Sequence, residues 1–196
     1  RERGFRGAPG KILIVPNAKG RVETILAGLS SPVSLYDLAP LVQTLRQNFS
    51  QAFLKETGFT LKSAGLKKEE ITSLHLGWVL GCYEFSTYKK SAGELPALVR
   101  DKKADRKRIA AFAESIFLIR DLINTPSNAM GPEELEAAAR RLAEMHKAKI
   151  NVVKGKELEK DFPLVHAVGD SSDRRPRLIE LNWGAAKNPK VTLVGK

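Results

Sequence analysis

The order of helical and strand-like segments in the second half of the chain constrains its fold more than any other feature. Apolar residues recur at helical spacing over 106–123 and 131–146. Three short apolar runs typical of strands follow, at Ile150–Val153, Arg177–Trp183 and Lys190–Val194. Helices that alternate with strands in this way indicate layers of helix packed on sheet. We therefore predict an α/β fold.

The first half of the chain contains a similar mixture of patterns. Lys11–Pro16 is an apolar run that ends at a proline, which predicts a buried strand. Helical spacing predicts helices over 22–29, 35–45 and Lys68–Tyr83. The stretch Gln47–Lys67 alternates only weakly, and we interpret it as an edge strand with loops.

Two glycines lie four residues apart inside the helix predicted over Lys68–Tyr83. They are Gly77 and Gly81. A glycine costs a helix about 1 kcal/mol relative to alanine, so a pair of them needs a structural reason. We predict that a neighbouring backbone packs closely against this helix.

A polar stretch with Gly93 and Pro96 divides the chain before the helix over 106–123. That helix is apolar around most of its circumference, so we expect it to be buried between two bodies. We predict a small amino-terminal α/β domain over residues 1–105, a linker helix over 106–123, and the incomplete first part of a second, mixed-sheet α/β domain over 124–196.

The formal charge of +11 raises the question of nucleic-acid binding. The basic excess is spread over both halves, and its one cluster is Lys102, Lys103 and 106–108, which Asp101 and Asp105 interrupt. We interpret this cluster as the solvated face of a helix. A DNA-binding role stays open as an alternative function.

Hydropathy and cysteine content argue against a membrane-spanning protein and against a disulfide-bonded secreted one. No apolar run approaches the roughly 20 residues that a membrane helix needs, and residues 1–10 lack the apolar core of a signal peptide. Cys82 is the single cysteine, so it forms no internal disulfide. We predict a cytoplasmic protein without a membrane partner.

Residue types and their spacing alone do not indicate a catalytic site in this sequence. His75, His146 and His166 are scattered, and each has an ordinary structural interpretation, such as a cation at the negative end of a helix for His146. Cys82 is interpreted as a small core residue. Ser127 lacks the glycine-flanked elbow of a serine nucleophile.

Several motifs together resemble the leucyl aminopeptidase (cytosol aminopeptidase) family. Arg120-Asp-Leu-Ile-Asn-Thr-Pro-Ser-Asn128, followed by Met130-Gly-Pro-Glu-Glu-Leu135, resembles the opening of its catalytic domain. The segment from Ala167 to Gly184 resembles its next strands, and Lys190-Val-Thr-Leu-Val-Gly-Lys196 resembles the strand that leads into its metal-site signature. Upstream, Leu76–Phe85 resembles the helix that closes its amino-terminal domain.

The resemblance implies a specific chemistry for residues 124–196, as the start of a metallopeptidase domain. Family members release amino-terminal residues, Leu above all, from peptides. They use two divalent ions, Mn²⁺ or Zn²⁺, which activate a water molecule. The lysine of the Val-Gly-Lys motif is a metal ligand, and here it is Lys196. The resemblance identifies no catalytic or substrate-binding side chain elsewhere in these residues, and it implies a homohexamer.

The resemblance also defines what the 196 residues lack. After the lysine the family continues Gly-x-x-Phe-Asp-x-Gly-Gly and supplies its remaining metal ligands. We therefore expect that this chain is a fragment, or an incomplete sequence, of a longer enzyme, and that it is inactive by itself. A DNA-binding or assembly module and a catalytically inactive scaffold subunit remain the alternatives.

Overall fold

The computed structural model describes residues 4–195 and confirms the α/β fold class. The chain divides into two compact units, Arg1–Asp121 and Leu122–Lys196. None of the helices in residues 4–195 combines the length and hydropathy needed to cross a bilayer. The elements are β1 (Ile12–Pro16), β2 (Val22–Ala27), α1 (Ala39–Asn48), α2 (Gln51–Glu56), β3 (Gly58–Thr60), α3 (Lys68–Gly81), β4 (Ala97–Val99), α4 (Arg106–Asn124), α5 (Pro132–His146), β5 (Lys149–Lys154), α6 (Lys156–Asp161), α7 (Pro163–Gly169) and β6 (Arg177–Asn182).

The first unit begins with an antiparallel hairpin of β1 and β2. Ile12 pairs with Ala27 at its open end. At the turn, the side-chain oxygen of Asn17 accepts hydrogen bonds from the amides of Lys19 and Arg21 at 2.9 and 3.1 Å. The helix predicted over 22–29 is therefore wrong. Pairing with β1 outweighs the helical spacing of its apolar residues.

The core of the first unit lies between α1 and α3. Both glycines of α3 mark close backbone contacts, as predicted: a Cβ at Gly77 would overlap the carbonyl oxygen of Leu35, and one at Gly81 would overlap that of Ala39. The helix predicted over 35–45 begins later, at Ala39. The buried core residues are Leu38, Leu41, Val42, Leu45, Leu54, Leu74 and Trp78.

The stretch Gln47–Lys67, interpreted from the sequence as an edge strand with loops, contains the short strand β3 and also the helix α2, which the sequence did not predict. The Ser50 hydroxyl caps α2 by accepting the Phe53 amide at 3.2 Å. β3 pairs in parallel with β4, so a short strand lies inside the polar stretch that precedes residue 106. The Trp78 indole Nε1 donates to the Pro96 carbonyl at 2.9 Å and holds this strand against α3.

Helix α4 is less buried than its sequence predicts. Ala113 is buried and packs with Leu76 and Leu80 of α3. Phe112 and Ile119, in contrast, are 49% and 53% exposed. The prediction that the whole helix is buried is therefore wrong, because α3 covers only part of its apolar circumference.

The second unit packs α5 on the antiparallel pair of β5 and β6. Lys149 pairs with Asn182 and Lys154 with Arg177, so both predicted strands are confirmed. Helix α5 begins at Pro132 as predicted, and Lys147 ends it in the left-handed conformation. Two short helices, α6 and α7, lie between β5 and β6 along the chain.

The strand predicted over Lys190–Val194 is wrong within the described residues. This segment pairs with no strand in residues 4–195, and its side chains face solvent, with Val191 85% and Leu193 92% exposed. A strand needs hydrogen bonds to a neighbouring strand, and in residues 122–195 the only paired strands are β5 and β6.

Candidate functional site

The residue that the sequence singled out, Lys196, lies outside the described residues. The segment that leads to it is exposed: Val194 is 93% accessible, and a Cβ built at Gly195 would meet no atom within 4 Å. The assignment of Lys196 as a metal ligand therefore stays a prediction.

The side chains that could hold a metal do not assemble in the described part of the chain. Residues 4–195 contain no group of three or more His, Cys, Asp or Glu side chains placed to bind one ion. Carboxylates, imidazoles and thiolates are the usual protein ligands of such ions. The described residues alone therefore do not fit a two-metal site.

Each histidine has a local structural environment. His75 is buried on α3, and its Nε2 accepts the Asp101 amide at 3.4 Å. His166 lies 3.8 Å from the Asp170 carboxylate, one helical turn away. His146 ends α5, and its carbonyl accepts the Trp183 indole N–H at 3.1 Å.

The two candidate nucleophiles are not activated. Burial raises the pKa of the Cys82 thiol to about 11, against a smaller opposing effect of Arg46. Ser127 lies in an exposed turn, and its carbonyl accepts the Arg174 guanidinium at 2.8 Å. Neither residue has the adjacent base that nucleophilic catalysis requires among its contacts in the described structure.

A cluster of charged side chains around Glu136 is the feature of the second unit that sequence reasoning missed. From α5, Arg140 donates to the Glu136 carboxylate at 2.9 and 2.7 Å. From β6, Arg177 donates to it at 2.5 Å and also to Glu133 at 3.1 Å. Lys154 of β5 adds a third cation 3.6 Å away. We call these five residues the Glu136 cluster.

The Glu136 cluster is built to fix a charge rather than to transfer a proton. Hydrogen bonds from Arg140 and Arg177 lower the pKa of Glu136 to about 2. A carboxylate that stays ionised and engaged by three cations is a poor general base and a poor metal ligand at neutral pH. The spacing of Glu136 and Arg140 is visible in the sequence, but Arg177 lies 41 residues away.

A second set of contacts fixes the turn that carries the Thr-Pro-Ser-Asn motif. Arg174 donates to the Ser127 carbonyl at 2.8 Å and to Glu134 at 2.7 Å. Glu134 in turn accepts the Gly131 amide at 2.8 Å, and this hydrogen bond is the main cause of its lowered pKa. A Cβ at Gly131 would overlap the Arg174 guanidinium, so a larger residue there would displace this side chain.

Comparison with known proteins accounts for both units. A family model for the amino-terminal domain of M17 aminopeptidases matches residues 1–100, and one for the catalytic domain of the cytosol aminopeptidase family matches residues 117–196. A probable cytosol aminopeptidase of Corynebacterium diphtheriae is 32% identical over 98% of this chain. The chain spans about two fifths of that relative's length (40%).

Solved structures give the same result. The cytosol aminopeptidase of Coxiella burnetii matches 96% of this chain and 39% of its own, with a TM-score of 0.81 and 33% identity. The bottromycin maturation enzyme BotP in complex with Mn shares the fold, with a TM-score of 0.73 at 24% identity over 95% of this chain and 42% of its own. On these matches, the chain belongs to the cytosol aminopeptidase (M17) family.

Proposed function

We propose that this chain forms the amino-terminal domain and the start of the catalytic domain of a metal-dependent aminopeptidase. The enzyme removes amino-terminal, Leu-like residues from peptides with a free α-amine. The observation that carries this proposal is the succession of both family domains along one chain, over residues 1–100 and 117–196. The division into residues 1–105, 106–123 and 124–196 is part of the same proposal.

We further propose that the complete enzyme holds two divalent ions, Mn²⁺ or Zn²⁺, which activate the attacking water. BotP, which shares the fold of this chain, was solved in complex with Mn. The described residues do not fit such a site by themselves. We therefore assign no catalytic step to residues 4–195, and we expect the 196-residue chain to be inactive.

Lys196 is the one metal ligand that we propose within this chain. The proposal is supported by its place in Val194-Gly195-Lys196 and by the match of the catalytic-domain family model up to that residue. In a full-length protein, Lys196→Ala should reduce both bound metal, measured by elemental analysis, and turnover. Lys190→Ala, which changes an exposed lysine of the same segment, is the control. Unchanged metal content in Lys196→Ala would contradict the assignment.

Assembly and location belong to the proposal as well. We propose a cytoplasmic homohexamer that acts on peptides. Multi-angle light scattering of the full-length protein should give six times the mass of one polypeptide. A stable monomer at micromolar concentration would contradict the hexamer without affecting the aminopeptidase proposal.

Hydrolysis of a leucyl amide tests the activity itself. With Mn²⁺ added, the full-length protein should hydrolyse this substrate, a chelator should abolish the reaction, and the 196-residue chain should show none. If the full-length protein neither hydrolyses such substrates nor binds divalent metal, the aminopeptidase proposal fails. DNA binding that weakens steeply with salt would then support the alternative of a binding module.

A further inference from the structure

The segment that joins β4 to α4, residues 100–105, is held in place by side chains from elsewhere in the first unit. We call it the β4–α4 connection. It contains a tight turn in which the Ala104 amide donates to the Asp101 carbonyl at 3.1 Å, and Ala104 is 6% exposed. Two of its backbone amides donate to side chains of α3. These bonds fix where α4 begins.

The two acceptors on α3 are His75 and Thr72, which lie one helical turn apart and are both buried. The imidazole Nε2 of His75 accepts the Asp101 amide at 3.4 Å. The hydroxyl of Thr72 accepts the Asp105 amide at 3.0 Å and donates its own proton to the Lys68 carbonyl at 2.8 Å. Of these two acceptors, only the imidazole changes its hydrogen-bonding character with pH.

A third bond holds the connection independently of pH near neutrality. The Ser63 hydroxyl donates to the Asp101 carboxylate at 2.5 Å, and this bond is the main cause of the lowered pKa of Asp101. The other carboxylate oxygen accepts the Lys103 amide at 2.8 Å. Asp101 therefore stays ionised throughout the range in which a histidine titrates.

Since Nε2 of His75 accepts a hydrogen bond, the proton of the neutral ring lies on Nδ1. A second proton would turn Nε2 into a donor that faces the Asp101 amide, which is also a donor. We propose that His75 is an acid-sensitive latch: the neutral ring holds the β4–α4 connection on α3, and protonation releases the Asp101 amide and loosens the start of α4.

Burial and the neighbouring charges set the direction in which the pKa of His75 shifts. Burial lowers the pKa of His75 most, Asp101 raises it, and Arg100 lowers it again. Near the Thr72 bond, Lys68 and Asp105 carry opposite charges, and Lys68 contributes to the lowered pKa of Asp105. A histidine whose folded pKa lies below its usual value of about 6.5 stabilises the fold fully above that pH and loses this contribution as the pH falls.

Hydrogen exchange of the Asp101 amide, corrected for its intrinsic pH dependence, tests the latch between pH 7.5 and 5. In the unmodified chain the opening equilibrium should rise as the pH falls below about 6.5, by at most about tenfold per pH unit because a single proton is taken up. His75→Gln supplies a carboxamide oxygen in place of Nε2 and does not titrate. In this variant the amide should stay protected over the whole range.

His146→Gln is the matched control, because it removes an exposed histidine and should leave the pH response intact. Thr72→Val should weaken protection at Asp105 at every pH but keep the pH response at Asp101. If the His75→Gln fold is lost, the NMR titration of the unmodified chain decides, since the Asp101 amide shift should follow the His75 ring. The proposal is overturned if the amide does not follow the ring, or if His75→Gln retains the unmodified pH response.

Discussion

Arg177 on β6 donates to Glu136 on α5 at 2.5 Å, with only 5% and 9% of the two side chains exposed. This ion pair joins the helix layer of the second unit to its sheet. Breaking a buried pair by removing one partner costs more than the pair itself contributes, because the remaining charge stays buried. The second unit should therefore depend on this contact for its stability.

Glu136→Gln should lower the free energy of unfolding by about 2 kcal/mol, because charge-assisted hydrogen bonds become neutral ones while the shape is kept. Urea denaturation at pH 7 measures this change. Glu144→Gln, at an exposed position of the same helix, should change stability by less than about 0.5 kcal/mol. Equal effects of the two substitutions would show that the ion pair contributes little.

The same ion pair predicts a dependence on acid. The pKa of Glu136 is about 2, below its ordinary value of 4.5, so its contribution is complete above pH 4.5 and is lost as the pH falls towards 2. The stability difference between the unmodified chain and Glu136→Gln should therefore shrink over this interval. Denaturation curves at pH 6, 4 and 2.5 measure it, and a constant difference would contradict the assigned pKa.

Gly77→Ala should destabilise the first unit by about 2–3 kcal/mol, because its methyl group would overlap the Leu35 carbonyl oxygen and force α3 away from its neighbour. The intrinsic preference of helices for alanine acts in the opposite direction and is smaller. Thermal unfolding followed by circular dichroism tests the sign. Gly195→Ala, where the new Cβ meets no atom within 4 Å, should leave stability unchanged.

Cys82 should react slowly with iodoacetamide while the chain is folded. A pKa of about 11 instead of 9.0 lowers the thiolate fraction at pH 8 about a hundredfold. The higher nucleophilicity of a more basic thiolate offsets part of this, so alkylation should be about tenfold slower than in urea. Mass spectrometry of timed samples measures the rates. Equal rates in the folded and unfolded chain would mean that the thiol is not shielded.

The sequence predicted the elements whose stability is local or whose apolar pattern has one interpretation. Helix α3 and strands β5 and β6 are of this kind, and the two glycines of α3 also indicated a close neighbour. Strand β2 was predicted as a helix because the spacing of its apolar residues is also typical of one. It forms a strand because it pairs with β1, and this pairing is not visible in its own sequence. The segment at Lys190–Val194 has a strand pattern without a strand partner in the described residues.

The polar contacts of the second unit were less accessible to sequence analysis. Arg177 is one of many basic residues in the sequence, and nothing near it marks Glu136 as its partner. Such long-range pairs become visible only when β6 is aligned beside α5. The resemblance to a family supplied what residue spacing could not, namely a chemical role for Lys196, which lies outside the described residues.

The parallel pairing of β3 with β4 imposes an order on folding. The hairpin of β1 and β2 closes over a short turn. Gly58 pairs with Ala97, in contrast, across a long intervening segment of chain that includes all of α3. Closing a long loop costs chain entropy before any contact rewards it. We therefore expect β4 to join late, with the docking of Trp78 against Pro96 as the step that commits the first unit to its native topology.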